Sequence, residues 1–552
     1  MKPVPVSPDS LNFCVWGLSI SNHQESSIMS RTKTKDSSLS EVEKRNSIID
    51  VETVSSKQDS FEPYIPTPIH SWKGRIWDAW DKPKEERWFL FKLDLLIMFI
   101  GGSGVFIRYL DQANLNSAFV SGMKEELELY GNELNYANAL FSIGYAIGQI
   151  PSNMLLSKLR HPHYYIAFLE ISWSVLTFAS AKMSGPTMMY AIRFFVGLFE
   201  AGHFPAVMYI AASWYPKAEL SKRISIIQFN TSTGPMLSNF LQSAAYTGLN
   251  GVSGRSGWRW LFIVDGIISL PLATIVIFLF PDIPRTQKPN WIFSEKELVL
   301  ARSRVPQEAK IYATFAKKDI KSWLGTWHVY FFSAIFVVEA LAGLPSSSMP
   351  FWFKSYNGLY SIPQINNYSA ILYGVRIGAT VIYGFISDDY LKGRRYIVIC
   401  FNAVIMFALC IALIAVPVHP PNRSSRFAIY ALIGLYANGA QQWTWQNDAT
   451  MGEPAKRAFV GAVMNSVLYA FLAFVPIFLF PTHHQPFVRN GNIASAVFCV
   501  ATILMALTGA YIEKLQRTTG FWRSVPLSQI EEKIIPEIEV SDVDLEPVKE
   551  KK

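Results

Sequence analysis

Apolar stretches long enough to cross a bilayer recur along this chain with short polar breaks between them, and that recurrence leaves few folds open. A helix rising about 1.5 Å per residue needs about 20 residues to span a hydrocarbon core of roughly 30 Å. Six such blocks run at Phe91–Ala113, Leu134–Leu156, Tyr164–Ala181, Met188–Trp214, Ile224–Tyr246 and Trp258–Phe280. The charged stretch Asp282–Lys321 interrupts the pattern. Six more blocks follow at Trp327–Phe351, Tyr368–Ser387, Tyr396–Val416, Phe427–Asn447, Ala458–Phe480 and Ile493–Ile512. Lipid offers no partner to a bare peptide group, so each block reads as a helix. The expected fold is an all-α polytopic membrane protein with twelve transmembrane helices in two six-helix bundles. The expected organisation is a disordered cytoplasmic tail with a Trp-rich interfacial segment over 1–87, an N-terminal bundle over 88–281, a cytoplasmic central loop over 282–322, a C-terminal bundle over 323–515 and a cytoplasmic tail over 516–552.

Charge decides orientation and excludes one class of partner. The formal net charge is +8, yet the basic residues sit beside apolar blocks and form no stripe with interleaved aromatics, which argues against nucleic acid and for membrane-flanking positions. Lys82, Lys84, Arg87 and Lys92 lead into helix one, and Lys514, Arg517 and Arg523 follow helix twelve. With the basic central loop, these place both termini in the cytoplasm. The run Ser21–Ser60 is too polar to build a core and reads as a disordered tail. Leu11–Ile20 is short and lacks a basic lead, so no cleavable signal is expected. Trp72, Trp77, Trp80 and Trp88 alternate with charged residues and suit a segment anchored at headgroup level. Cys14, Cys400, Cys410 and Cys499 show no metal-ligand spacing, and no cofactor is expected. No phosphate-cradling loop, metal triad or nucleophile-base arrangement points to an enzyme.

Several motifs carry a family resemblance. Gly384-Phe-Ile-Ser-Asp388-Asp-Tyr-Leu-Lys-Gly-Arg394-Arg395 resembles the loop signature of the major facilitator superfamily, whereas Leu155–His163, at the corresponding place after helix two, lacks the acid. The run from Tyr109 through Asp111 to Met123, the run Arg193-Phe-Phe-Val-Gly-Leu-Phe-Glu200, Ser213-Trp-Tyr with Glu219 and Arg223, and Gly257-Trp-Arg-Trp-Leu-Phe-Ile-Val-Asp265 are together similar to the fungal allantoate permease branch, the anion:cation symporters. Within that branch the first half looks most like pantothenate transporters. The resemblance covers Trp77 to Arg523; Asp448 stands where relatives commonly carry glutamate. It implies a proton-coupled plasma-membrane importer of a small organic anion, pantothenate first, with biotin, nicotinate, allantoate or a dipeptide as alternatives. A non-transporting nutrient sensor on the same fold is the reading from another class.

Ionisable groups inside spans are costly and so mark candidate sites. Arg108 and Asp111 fall in the outer half of helix one, and Arg193 opens helix four on the same side. Family motifs suggest an Asp111–Arg193 pair, either an outer gate or a fixed structural bridge. Glu200 lies two turns beyond Arg193 on the same face, and His203 follows by three; together they are candidates for a proton relay. In the second half Arg376 offers a planar fork for a substrate carboxylate, with Glu339 as its resting partner or as a proton site; mutual neutralisation is the alternative. Asp265 is expected to pair with Arg259 or Glu170. Asp388, Arg394, Arg395 and Asp448, with Glu453, Lys456 and Arg457 nearby, are candidates for a cytoplasmic gating latch. Tyr145, Gln149, Asn230, Tyr373, Trp443 and Asn447 are candidate cavity residues near the midplane. Gly144, Gly148 and Ser152, spaced by four, read as a close helix contact.

Overall fold

All twelve apolar blocks are helical in a computed structural model of the chain, which describes residues 77–156, 161–305, 317–450 and 454–519, with Ser71, Lys73, Gly74 and Leu159 besides. The expectations for Ser21–Ser60, Cys14, Trp72, Glu453 and the tail beyond 519 lie outside the described residues, as do the side chains of Asp388 and Asp389. Among the described residues there are helices and no strands. In chain order the passages are α1 (Lys84–Glu126), α2 (Glu133–Leu156), α3 (Pro162–Lys182), α4 (Pro186–Trp214), α5 (Lys217–Leu249) and α6 (Gly257–Leu279). The second six are α7 (Trp327–Lys354), α8 (Ile362–Phe385), α9 (Arg395–Ala415), α10 in two pieces (Arg423–Leu432 and Gly439–Ala449), α11 (Pro454–Leu479) and α12 (Arg489–Thr519). Eight of them are long and apolar enough to cross a membrane by length and composition. Of the remaining four, α2, α5 and α10 are rich in Asn, Gln, Ser and Thr, and α8 carries Gln364, Asn366, Asn367 and Arg376. Such residues suit helices that face partners or a polar cavity rather than lipid.

Helix pairs in a bilayer gain little from the hydrophobic effect and rely on close packing. The glycine stripe of α2 supplies it. A Cβ on Gly144 would strike the carbonyl oxygen of Phe194, and one on Gly197 would strike that of Phe141, so α2 and α4 meet backbone to backbone. The two halves meet through α5 against α8 and α2 against α11. Among the interruptions of helices inside the bundle are one in α1 and one in α10. In α1 the turn at Ser121 and Gly122 is non-helical, and Gly122 has φ +109°, a conformation that favours glycine. Between the pieces of α10, Tyr436 donates to the Glu339 carbonyl oxygen at 3.2 Å and Asn402 donates to Asn438 Oδ1 at 2.6 Å. Those bonds occupy polar groups at a depth where water is scarce.

The segment before α1 does more than anchor. Trp80 and Trp88 are 48% and 59% exposed, as an interfacial segment requires, but Asp78, Lys82 and Glu86 are buried. Arg223 of α5 reaches Asp94 at 2.7 Å and Asp78 at 3.2 Å, while Trp77 lies against its guanidinium at 4.9 Å. Arg304, at the end of the central-loop helix Glu295–Arg304, reaches Glu219 at 2.6 Å and Glu86 at 3.0 Å. Lys82 completes the web on Glu219 at 3.1 Å. The segment 78–87 and the loop helix are thus bolted to the N-terminal bundle by buried charge pairs. Removing one member of such a web leaves a buried charge alone, at a cost of about 3–5 kcal/mol.

Candidate substrate and proton site

Arg108 is a buried charge that contacts both halves of the molecule. Helix α1 starts at Lys84 and runs to Glu126, longer at both ends than its apolar block, so Arg108 sits near its middle rather than in its outer half. The side chain is 2% exposed. Its Nε faces Glu200 Oε2 of α4 at 3.4 Å, and its Nη2 donates to the Tyr469 hydroxyl of α11, in the other half, at 3.2 Å. The guanidinium lies 4.8 Å from the Tyr145 ring and 5.1 Å from the Tyr109 ring, within cation–π range. Gln112, one turn beyond Arg108 on the same face, donates to Glu200 Oε2 at 2.9 Å. Glu200 Oε1 is buried and has no hydrogen-bond partner among the described residues.

Residues of the opposite half close over this cluster. Tyr469 stacks on Tyr145 with ring centroids 3.9 Å apart. Asn465 Nδ2 donates to the Tyr145 hydroxyl at 3.4 Å, and Ser466 donates to Gln149 Oε1 at 2.9 Å. Three side chains of α11, at spacings of one turn or less, therefore meet Arg108, Tyr145 and Gln149. At the end of the bundle remote from the termini the halves are joined again. Asn135 donates to the Phe480 carbonyl oxygen at 2.9 Å, Asn366 to Ser121 Oγ at 3.0 Å, and Lys354 pairs with Glu125 at 2.7 Å.

The remaining charges of the N-terminal half do not pair as the family motifs suggest. Asp111 accepts from Thr177 of α3 at 3.1 Å, whereas Arg193 donates to Asn138 of α2 at 3.5 Å and lies 4.7 Å from the Phe141 ring. The glycine contact explains this. It draws α2 onto α4, so Arg193 points across that contact while the Asp111 carboxylate faces α3. Asp265 meets Asn114 of α1 in a close hydrogen bond, not Arg259 or Glu170. Arg259 instead holds Glu126 at 2.8 Å. His203 meets Glu170 at 2.6 Å, with both residues buried, and no contact between His203 and Glu200 is present among the described residues. Gly104 backs that pair: a Cβ there would lie 2.7 Å from His203 Nε2.

In the C-terminal half the candidates stand further apart. Arg376 is half-buried, its guanidinium 5.8 Å from the Tyr373 ring, and no ion pair with Glu339 is present among the described residues. Its Nε is buried without a hydrogen-bond partner there. Glu339 is itself buried. Trp443 packs edge to face on Phe336 at 5.7 Å, and Asn447 is half-buried one turn away. Asn230 donates to the Gly102 carbonyl oxygen at 3.1 Å and so serves the α1–α5 contact. Arg395 reaches Asp448 at 3.4 Å and Ser387 at 2.8 Å, joining α9 to α10 within one half; Arg394 is exposed.

Sequence reasoning missed Tyr469 and Gln112. Gln112 could have been found, since a four-residue step from Arg108 repeats a helix face. Tyr469 could not, because it lies 361 residues from Arg108.

Residues 102–476 match the family model described as Major Facilitator Superfamily. The chain belongs to that superfamily. It is 34% identical to pantothenate transporter liz1 of Schizosaccharomyces pombe over 69% of this chain and 74% of that one. It is 30% identical to pantothenate transporter FEN2 of Saccharomyces cerevisiae over 83% of this chain and 88% of the relative. The vitamin H transporter of the same yeast is 28% identical over 75% and 70% of the two chains. Among solved structures, the proton:xylose symporter XylE superposes with a TM-score of 0.57 at 15% identity, over 78% of this chain and 99% of that one. That likeness establishes the fold. The expected major facilitator architecture and the place beside fungal vitamin transporters are both met, and the protein is a multi-helix membrane transporter of this superfamily.

Proposed function

We propose that this superfamily member imports pantothenate across the plasma membrane together with protons, with both termini cytoplasmic. The observation that carries the reading is Arg108, a buried guanidinium at the contact between the two halves whose pairing with Glu200 is loose. A guanidinium has five N–H donors, and a carboxylate takes two of them in one plane. A substrate carboxylate arriving at Arg108 competes with Glu200 and with the Tyr469 hydroxyl. Glu200, displaced from its cation, is then best accommodated neutral, so substrate binding and protonation of Glu200 favour each other. Loss of the Arg108–Tyr469 bond loosens the hold of α11 on the N-terminal half. Gln149, Tyr145, Asn465 and Ser466 offer polar contacts to the amide and hydroxyls of a pantothenate-like substrate. Arg376, Tyr373, Trp443 and Asn447 form the opposite wall. Glu339 is a second proton-coupling candidate, and His203 supports the site through Glu170. Asp111 and Arg193 act as fixed braces, and Arg395 with Asp448, flanked by Arg394 and Asp388, as a cytoplasmic latch.

Labelled pantothenate uptake in cells lacking their own carrier, at two external pH values and with surface abundance measured, tests this. Faster uptake at the lower pH, competed by unlabelled pantothenate, is expected. Competition by biotin, nicotinate or allantoate in its place reassigns the substrate. Normal surface abundance with no uptake of any carboxylate overturns the transport reading in favour of a sensor.

A further inference from the structure

The aromatic segment ahead of α1 shapes a second feature, an open cleft of about 400 Å³ lined by Trp77, Trp80, Lys84, Arg87, Trp88 and Phe91, with Asp94 at its back. Three of its rings are largely uncovered: Trp80 is exposed, and Trp88 and Phe91, both more than half exposed, stack on each other at 5.5 Å. The cleft lies at the N-terminal end of α1, just ahead of its apolar run.

Its charge is one-sided. Lys84 and Arg87 are both exposed. Arg87 is not waving in solvent, because its Nη2 donates to the backbone oxygens of Trp80 at 2.8 Å and Lys82 at 3.1 Å, which holds the guanidinium at the cleft. The carboxylate of Asp94 is already answered by Arg223 and by the Tyr215 hydroxyl, each at 2.7 Å. Glu86 is turned inward to Lys82 and Arg304, leaving Glu85 as the exposed acid of that turn. The cleft therefore presents two cations over aromatic walls.

We propose that this cleft seats the headgroup of an anionic glycerophospholipid from the leaflet on the side of the termini. The phosphate takes Lys84 and Arg87, and the rings of Trp80, Trp88 and Phe91 contact the glycerol and the first methylenes of the acyl chains. Soluble phosphates match the cations but leave the aromatic walls uncovered, and zwitterionic lipid matches the walls but brings a competing ammonium.

The test is native mass spectrometry of the full chain in detergent, titrated with phosphatidylserine and with phosphatidylcholine of the same acyl chains. Phosphatidylserine adducts are expected to persist at activation that strips phosphatidylcholine. Neutralising both cations in Lys84→Gln/Arg87→Gln is expected to weaken phosphatidylserine binding on the order of thirtyfold. Trp88→Ala should weaken both lipids. Lys514→Glu, at an exposed basic site near the end of α12, should change neither. Equal retention of the two lipids by the native protein overturns the proposal. So does an unaltered preference in the double variant, or an equal loss in Lys514→Glu, which would mean diffuse surface charge. Competition by glycerophosphoserine as strong as by the whole lipid would mean a soluble phosphate site and overturn it likewise. Should the double variant fold poorly, Arg87→Gln alone with Trp88→Ala gives the same comparison.

Discussion

The two six-helix halves share an architecture but differ in how they hold charge. The interior of the N-terminal half gives its charges contacts: Arg108 with Glu200 and Tyr469, Glu170 with His203, Asp111 with Thr177, Asp265 with Asn114. In the C-terminal half Glu339 and Arg376 stand without a mutual ion pair among the described residues, and the side chains that reach across from α11 are neutral: Tyr469, Asn465 and Ser466. A charge that is already engaged can report on a new arrival by changing partner, whereas a neutral donor can only add or lose a bond. Under the proposed mechanism, that difference gives sensing of substrate and proton to the first half and contact with the moving partner to the second.

The strongest way to break this assignment is Glu200→Gln. The variant is expected to lose pH-driven accumulation by about a hundredfold while keeping counterflow of preloaded substrate, since removing one titratable partner ends coupling but not access. Accumulation that still follows external pH would move the proton site to Glu339. Next in size, Arg108→Lys is expected to raise the apparent KM by about thirtyfold and Arg376→Lys by no more than about threefold, because a point-charge ammonium replaces a planar fork poorly only where that fork binds the carboxylate. The reverse order would place the anion site in the C-terminal half. Tyr469→Phe removes one hydroxyl contact worth about 1 kcal/mol, so a KM change of about fivefold with normal surface abundance is expected, and an unchanged KM would sever the link between the halves.

The smallest effect concerns the loop after α6. Asp282 accepts from His161 at 2.6 Å, from the Thr286 hydroxyl at 2.8 Å and from the Ile283 amide at 2.9 Å, tying the α2–α3 connection to the exit of α6. Burial alone would raise its carboxyl, but the hydrogen bonds from His163, His161, Thr286 and Ile283 outweigh it and hold the group below the usual carboxylate range. A depressed value means the contact stabilises the native state above the ordinary carboxylate range and is lost as the pH falls through the lowered value. Asp282→Asn is therefore expected to cost about 1 kcal/mol at neutral pH and nothing in strong acid, read as detergent thermal stability against pH.

The apolar blocks and the four-residue glycine spacing were legible in the sequence because each depends on one helix at a time. Depth along a helix is half legible: the two-turn step from Arg193 to Glu200 reads directly from the sequence, whereas Arg108 lies deeper than its apolar block suggests because α1 extends past that block at both ends. Rotation about the helix axis was not legible. Asp111 and Arg193 share a depth and still face different neighbours, since the backbone contact at Gly144 and Gly197 decides which way α4 turns. Contacts between halves were the least accessible, because Arg108 and Tyr469 meet only after both bundles have formed.

The charge web around Arg223 and Arg304 has a mechanical meaning. It fastens the central loop to one bundle as far as Arg304, while the helix Lys317–Leu324 rests on the other through Trp323 against Phe459. The central loop is thus anchored at one end to each half, and breaking either anchor lengthens the tether that joins them.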